Sequence, residues 1–205
     1  MKAKAPKSPK LPPAPSCSKH FFANPAGGKS EIPELRDQLL TWYDKNKRIL
    51  PWRTIAESEK DDDVRGYSVW VSEIMLQQTQ VATVIDYYKK WMAKWPDTRT
   101  LATATLDEVN EMWSGLGYYS RGRRLWEGAK KVEGEMKGKM PKTTETLLKE
   151  LPGVGRYTAS AVASIAYKVP VGLVDGNVIR VLTRMRTIGA ESTSGVESHI
   201  TPGVL

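Results

Sequence analysis

One stretch, Tyr67 to Thr79, constrains the fold of this chain more than any other. Its apolar residues Val69, Trp70, Val71, Ile74, Met75 and Leu76 fall on nearly every side of a helix. A helix that is apolar all round is a buried one. The rest of the chain reads as helical too. From residue 31 onward there is almost no strand-like alternation, and apolar positions recur at helical spacing, as in Leu35, Leu39, Trp42 and Tyr43. Val81 to Trp95 reads as a helix stopped by Pro96. Thr105-Leu-Asp-Glu108 fits a capping box opening a helix through Trp113. Gly115 and Gly117 break that helix, and a basic helix runs from Tyr118 to Met136. Thr143 to Leu151, Arg156 to Tyr167 and Asn177 to Ile188 complete the set. The expectation is an all-α fold built of short helices. Ahead of the buried helix lie a first helix (31–48), a loop at Leu50-Pro51-Trp52-Arg53, and an acidic stretch from Glu57 to Asp63 that reads as a surface insertion.

The formal charge is +8, but its distribution matters more than its sum. Six of the 31 Lys and Arg residues lie in residues 1–30, which contain no acid, leaving 25 basic against 23 acidic residues in 31–205. Composition alone is therefore weak evidence that the folded part binds nucleic acid. Residues 1–30 are rich in Lys, Pro, Ala and Ser, with Pro6, Pro9, Pro12, Pro13 and Pro15 closely spaced. Repeated prolines disfavour a helix, so this segment reads as a disordered basic leader, a solvated tail with nuclear import or DNA tethering as its functional alternative. It has no apolar segment of the secretory kind. No apolar run approaches the ~20 residues that a membrane helix needs. The single cysteine, Cys17, reads as an exposed thiol and excludes an intrachain disulfide or a cysteine-based metal cage.

Leu151-Pro-Gly-Val-Gly155-Arg-Tyr-Thr-Ala159 joins two short helices through a turn with glycines at alternate positions. Glycine permits positive φ and close backbone approach, and the helix that follows begins with unpaired amides, a natural site for a phosphate oxygen. The alternative is an ordinary interhelix turn. Residues 151–190 hold five basic residues (Arg156, Lys168, Arg180, Arg184, Arg186) against Asp175 alone, so the local field favours an anionic partner.

Two carboxylates stand out. Glu73 sits in the middle of the buried helix, and burial raises a carboxyl pKa. A carboxyl held protonated near neutral pH suits general-acid work; the alternative is an ion pair with an arginine such as Arg53. Asp175 precedes a helix in Val174-Asp-Gly-Asn-Val178 and reads as an N-cap. Capping does not exclude catalysis, because the positive helix end keeps the carboxylate ionised. One carboxyl pushed towards neutral and one held charged is the division of labour that cleaves glycosidic bonds.

Four motifs then fall in one order: Trp70-Val-Ser-Glu-Ile-Met-Leu-Gln-Gln-Thr-Gln-Val81, Gly115-Leu-Gly-Tyr-Tyr-Ser-Arg121, the LPGVGRYTA hairpin, and VDGNV. Over residues 34 to 190 the chain resembles the adenine-DNA glycosylases of the MutY type, in the helix-hairpin-helix (HhH-GPD) glycosylase superfamily. The resemblance implies a six-helix barrel domain with an incomplete second helical subdomain. In this reading 31–64 is the N-terminal helix and acidic loop, 65–190 the catalytic core with hairpin 151–159, and 191–205 a truncated C-terminal segment. The implied reaction is removal of adenine mispaired with 8-oxoguanine or guanine in double-stranded DNA, by a monomer. Glu73 would protonate adenine at N7 and Asp175 would stabilise the oxocarbenium sugar, with Tyr157 and Asn177 supporting them. Trp52, Arg53, Leu76 and Val81 match residues lining the adenine pocket. Gln77, Gln78 and Tyr118 match residues that enter the duplex around the lesion, and Gly153, Val154, Gly155 and Arg156 form the DNA-contacting hairpin. Tyr118 and Tyr119 could instead be core aromatics, and core packing is the better reading for the other tryptophans. Position 157 carries lysine in endonuclease III-like members, whose amine forms a Schiff base; tyrosine cannot.

Family members also carry a [4Fe–4S] cluster on four cysteines and a C-terminal domain that helps recognise 8-oxoguanine. Neither lies within these 205 residues, and no metal ligands are expected in this chain. The first helix should then leave Leu35, Leu39 or Trp42 exposed. Three functional readings follow: a monofunctional adenine glycosylase, an endonuclease III-like lyase disfavoured by Tyr157 and the Gln77-Gln78 pair, and a non-catalytic DNA-binding fragment. The lysine-rich leader points to the nucleus, with the mitochondrion as the alternative.

Overall fold

The computed structural model describes residues 32–185. The basic leader with Cys17, the end of the last helix at Ile188, and the segment 191–205 lie outside the described residues. The described residues form helices α1 (Ile32–Asn46), α2 (Pro51–Ser58), α3 (Asp62–Leu76), α4 (Val81–Lys94), α5 (Thr98–Ala102), α6 (Leu106–Trp113), α7 (Ser120–Glu135), α8 (Thr144–Glu150), α9 (Arg156–Tyr167) and α10 (Gly176–Met185). The all-α expectation holds. Two compact units result, one containing α1 and α10, the other running from Arg48 to Asp175 and containing α2 to α9. None of these helices is long and apolar enough to cross a membrane.

In the larger unit α3 is the central element. It packs against α2, α4, α7 and α9, and nine of its fifteen residues are buried. The contact with α9 is the most extensive, because α9 offers a face of small residues, Ala159, Ser160, Ala163 and Ala166, that lets the two backbones come close. Arg65 Nε ties them by donating to Ala166 O at 2.6 Å. Behind α3 lies an aromatic cluster. Trp91 meets Trp95 and Trp113 edge-on at ring separations of 4.8 and 5.5 Å, and its Nε1 donates to Tyr67 Oη at 2.9 Å. Trp70, Trp91 and Trp113 are fully buried, as a core role for the tryptophans requires.

Three local readings are corrected. Leu50 to Arg53 is no loop: Pro51 opens α2, since a proline at the first helical position gives up an amide that has no partner anyway. The acidic stretch is no insertion. Asp61 accepts from the amides of Asp63 and Val64 and so caps α3, which starts five residues earlier than the apolar pattern indicates and ends at Leu76 rather than Thr79. Asp62 pairs with Lys142 and Arg65, and Asp63 with Lys139 and the amide of Met140, pinning the start of α3 to the segment before α8. The third concerns α5, which has no counterpart in the sequence reading because five residues are too few to show a period. Thr105 and Glu108 do form the expected capping box.

In the smaller unit α1 has no buried residue; Leu39 and Trp42 are 61% and 60% exposed, and Leu35 is partly covered.

Replacing the fully buried Trp91 by alanine should lower the unfolding free energy by about 3–5 kcal/mol. Urea denaturation followed by circular dichroism measures it, and a loss below about 1 kcal/mol would show that the aromatic cluster is not the packed core described.

Candidate active site

Glu73 lies on the fourth and last turn of α3 with Ser72 and Ile74 buried on either side of it. The helix that is apolar all round therefore carries a partly buried carboxyl near its C-terminal end. Burial pushes its pKa from 4.5 up to about 7, and the charge of Asp175 pushes in the same direction. No ion pair reaches Glu73 among the described residues. Arg53, the cation considered for it, donates from Nη1 to Arg48 O at 3.2 Å. A carboxyl in this environment holds its proton close to neutral pH.

Asp175 ends the extended segment after α9 and stands within electrostatic reach of both Glu73 and Tyr157. Tyr157, on the first turn of α9, has its phenol pushed up to about 12 by burial and by the charges of Glu73 and Asp175. It keeps its proton at neutral pH and is available as a donor beside two acids. The structure therefore brings Glu73, Tyr157 and Asp175 together from α3, α9 and the irregular segment that follows α9. Asn177 lies on the first turn of α10, in the smaller unit, where Arg180 Nη2 donates to its Oδ1 at 3.2 Å.

The hairpin has the geometry that its glycines foreshadow. Gly153 has φ +75°, a conformation that a side chain would strain, and a Cβ there would strike the Arg124 side chain. Gly155 occupies the N-cap of α9 with no side-chain cap, and a Cβ built on it meets nothing within 4 Å. No side chain caps the first amides of α9, while Val154 anchors the turn in the core. Arg156 is exposed beside them.

At the C-cap of α3, one turn beyond Glu73, Gln77 Nε2 donates to Thr158 Oγ1 at 3.5 Å, next in sequence to Tyr157. Gln78 has φ 53° and Tyr118 has φ 47°, left-handed conformations that cost about 1–3 kcal/mol each for residues other than glycine. Tyr118 is 66% exposed and Tyr119 is exposed too, so neither is a core aromatic. Leu76 and Val81 are half-buried at the rim of the core. Trp52 is buried on α2 against Tyr88, ring to ring at 5.4 Å, a packing position. Sequence reasoning missed Arg121, which is buried on α7 and donates to both loops that carry Gln77, Gln78 and Tyr118. Its acceptors are mostly carbonyls, which leave no mark in a sequence.

Residues 71–203 match the family described as HhH-GPD superfamily base excision DNA repair protein. The chain belongs to that superfamily. Within it, the chain is 61% identical over 180 residues to adenine DNA glycosylase of Mus musculus and 60% over 182 residues to that of Homo sapiens. It is 44% identical over 176 residues to the Schizosaccharomyces pombe enzyme of the same name. These alignments cover 88%, 89% and 80% of this chain but only 34%, 33% and 38% of the relatives. The chain spans about a third of the length of these curated relatives. Among solved structures it resembles a thermostable thymine-DNA glycosylase, with TM-score 0.63 and 26% identity over 75% of this chain and 69% of that one. A non-covalent endonuclease III–DNA complex shares the fold, with TM-score 0.58 and 22% identity over 80% and 74% of the two chains. The iron–sulfur cluster implied for the longer HhH-GPD members does not fit the residues present. A cubane needs about four thiolates. The sequence has one cysteine, and the described residues contain no group of side chains able to hold a metal.

The perturbed carboxyl has a consequence for stability. The folded protein holds the Glu73 proton up to about pH 7, whereas the unfolded chain holds it only to about 4.5. The folded state binds the extra proton in that window, so this group's contribution is fully present below pH 4.5 and is lost as pH rises through 7. Glu73→Gln, neutral at every pH, should match wild type near pH 4.5 and exceed its stability at pH 8 by up to about 3 kcal/mol. Parallel denaturation curves at the two pH values measure it; a constant difference would place Glu73 in water or in an ion pair.

Proposed function

We propose that this chain is the catalytic core of a monofunctional adenine DNA glycosylase, which hydrolyses the N-glycosidic bond of adenine opposite 8-oxoguanine or guanine in duplex DNA. The observation that carries the reading is Glu73, a carboxyl poised near neutrality on a buried helix beside Asp175. The names of the 60%-identical relatives support the choice of adenine.

The duplex rests its backbone on the hairpin, where the uncapped amides of α9 and Arg156 take a phosphate without reading sequence. The target adenosine leaves the stack, an extrusion that costs a few kcal/mol, and Gln77, Gln78 and Tyr118 enter the space it vacates. Protonated Glu73 donates to adenine N7. The C1′–N9 bond then breaks with its electron pair passing to the base, which departs neutral. The charge of Asp175 stabilises the oxocarbenium sugar, and water adds to C1′ with loss of a proton, leaving an abasic site. Tyr157 donates to the carboxylates, and as a phenol it offers no amine for a Schiff base, so the strand stays intact. The part given to Asn177 rests on the VDGNV motif, and that of Trp52, Arg53, Leu76 and Val81 on the resemblance of their segments. A nuclear location rests on the basic leader.

Single-turnover release of adenine from a duplex containing A opposite 8-oxoguanine tests the reading. Glu73→Gln should lower the rate by about 10²–10⁴-fold. Equal, negligible release by wild type and variant with retained duplex binding would make the chain a non-catalytic DNA-binding segment. Asp175→Asn should abolish release while leaving affinity for abasic-site duplex within a few-fold. Borohydride should trap no covalent complex with abasic DNA, and high-yield trapping would replace this reaction with a lyase.

A further inference from the structure

Arg121 is 7% exposed on the first turn of α7, yet it pairs with no carboxylate among the described residues. Its two terminal nitrogens are taken up mainly by backbone carbonyls, while Nε is buried without a hydrogen bond among the described residues. Nη1 donates to Ile74 O and Met75 O, both at 3.1 Å, and to Gln77 O; these carbonyls lie at and just past the C-terminal end of α3, and Ile74 O also accepts from the amide of Gln77 at 3.4 Å. Nη2 donates to Leu116 O at 3.0 Å, Gly117 O at 3.1 Å and Thr79 Oγ1 at 3.2 Å. The guanidinium also stacks near the rings of Trp113 and Tyr118, at 5.4 and 5.6 Å. One planar group thus joins two loops that are some forty residues apart in the chain. Each of those loops carries a residue in a left-handed conformation, Gln78 on one and Tyr118 on the other. Such conformations persist only where their surroundings over-determine them. An apolar residue could fill the space but could not bind both sets of carbonyls, and a lysine has no planar fork.

We propose that Arg121 is a positioning residue that fixes the Gln77–Thr79 and Leu116–Tyr118 loops at one mutual spacing, so that both wedges meet the duplex already ordered. It touches no reacting atom and acts through Gln77, Gln78 and Tyr118. Their entry into DNA rests on the proposed function, whereas the coupling of the two loops does not. Preorganisation of this kind removes the ordering cost from the binding step.

The test uses the 205-residue chain and two variants. Arg121→Lys removes the fork, and Thr79→Val removes one acceptor, together with the hydroxyl's own donation to Gln77 O at 3.2 Å, while keeping the shape of the side chain. Amide hydrogen exchange on the free protein should rise in both loops together, by about five- to tenfold for each hydrogen bond lost, with α9 unchanged. With A:8-oxoguanine duplex, Arg121→Lys should lower the single-turnover rate constant by up to about 10²-fold at unchanged reactive fraction. It should also weaken the fluorescence rise of 2-aminopurine placed at the target. Thr79→Val should show the same effects more mildly, and it decides the matter if Arg121→Lys does not fold. Unchanged exchange, a response in one loop only, or faster exchange across α9 with a reduced reactive fraction would overturn the proposal. Coupled loops in a wild-type chain that releases no adenine would instead sink the proposed function and leave the coupling standing.

Discussion

Desolvation of one helix governs the site. α3 spends most of its surface on packing, against α2, α4, α7 and α9, so even its last turn is partly shielded from water. Glu73 sits there. The same helix shows the contrasting case at its exposed start, where Asp62 bonds to Lys142 and Arg65 and its pKa is lowered by those bonds. Two acids eleven residues apart on one helix are driven in opposite directions, one by partners and the other by their absence together with the charge of Asp175. Acidity at Glu73 is therefore a property of core packing. A substitution that loosens the contact of α3 with α9 would admit water and return the carboxyl towards its ordinary value, even far from any bound base.

This dependence explains which parts of the molecule were legible beforehand. The burial of α3 follows from the distribution of Val69, Trp70, Val71, Ile74, Met75 and Leu76, and with it the perturbation of Glu73. The capping box at Thr105 and Glu108 and the hairpin at Gly153 and Gly155 are local chemistry, and both are where their residues place them. The failures are of another kind. Pro51 reads as a breaker when the chain after it is unknown, but with Trp52 and Ala56 buried on one side it opens α2. Asp61 to Asp63 read as solvated charge because their partners, Lys139 and Lys142, come nearly eighty residues later. Arg121 could not be singled out, since carbonyl acceptors are the same at every residue. Long-range pairing and backbone acceptors are what a single sequence conceals.

The termini of the helices complete the argument. At α5, α6 and α8 the free amides of the first turn are met by capping boxes from Asp97, Thr105 and Thr143. At α2, α4, α7 and α9 no side chain does so, and among these α9 is the one that directly follows the hairpin, with nothing within 4 Å of a Cβ built on its N-cap glycine. With glycine at the N-cap the missing side-chain bond costs only roughly a few tenths of a kcal/mol relative to a capping residue. The glycine therefore leaves the space at position 155 open at little cost to α9. Tyr157 lies on this same first turn, within electrostatic reach of Glu73 and Asp175. One rigid turn of helix thus carries both the N-cap glycine of the hairpin and the phenol beside the two acids, which fixes their mutual spacing.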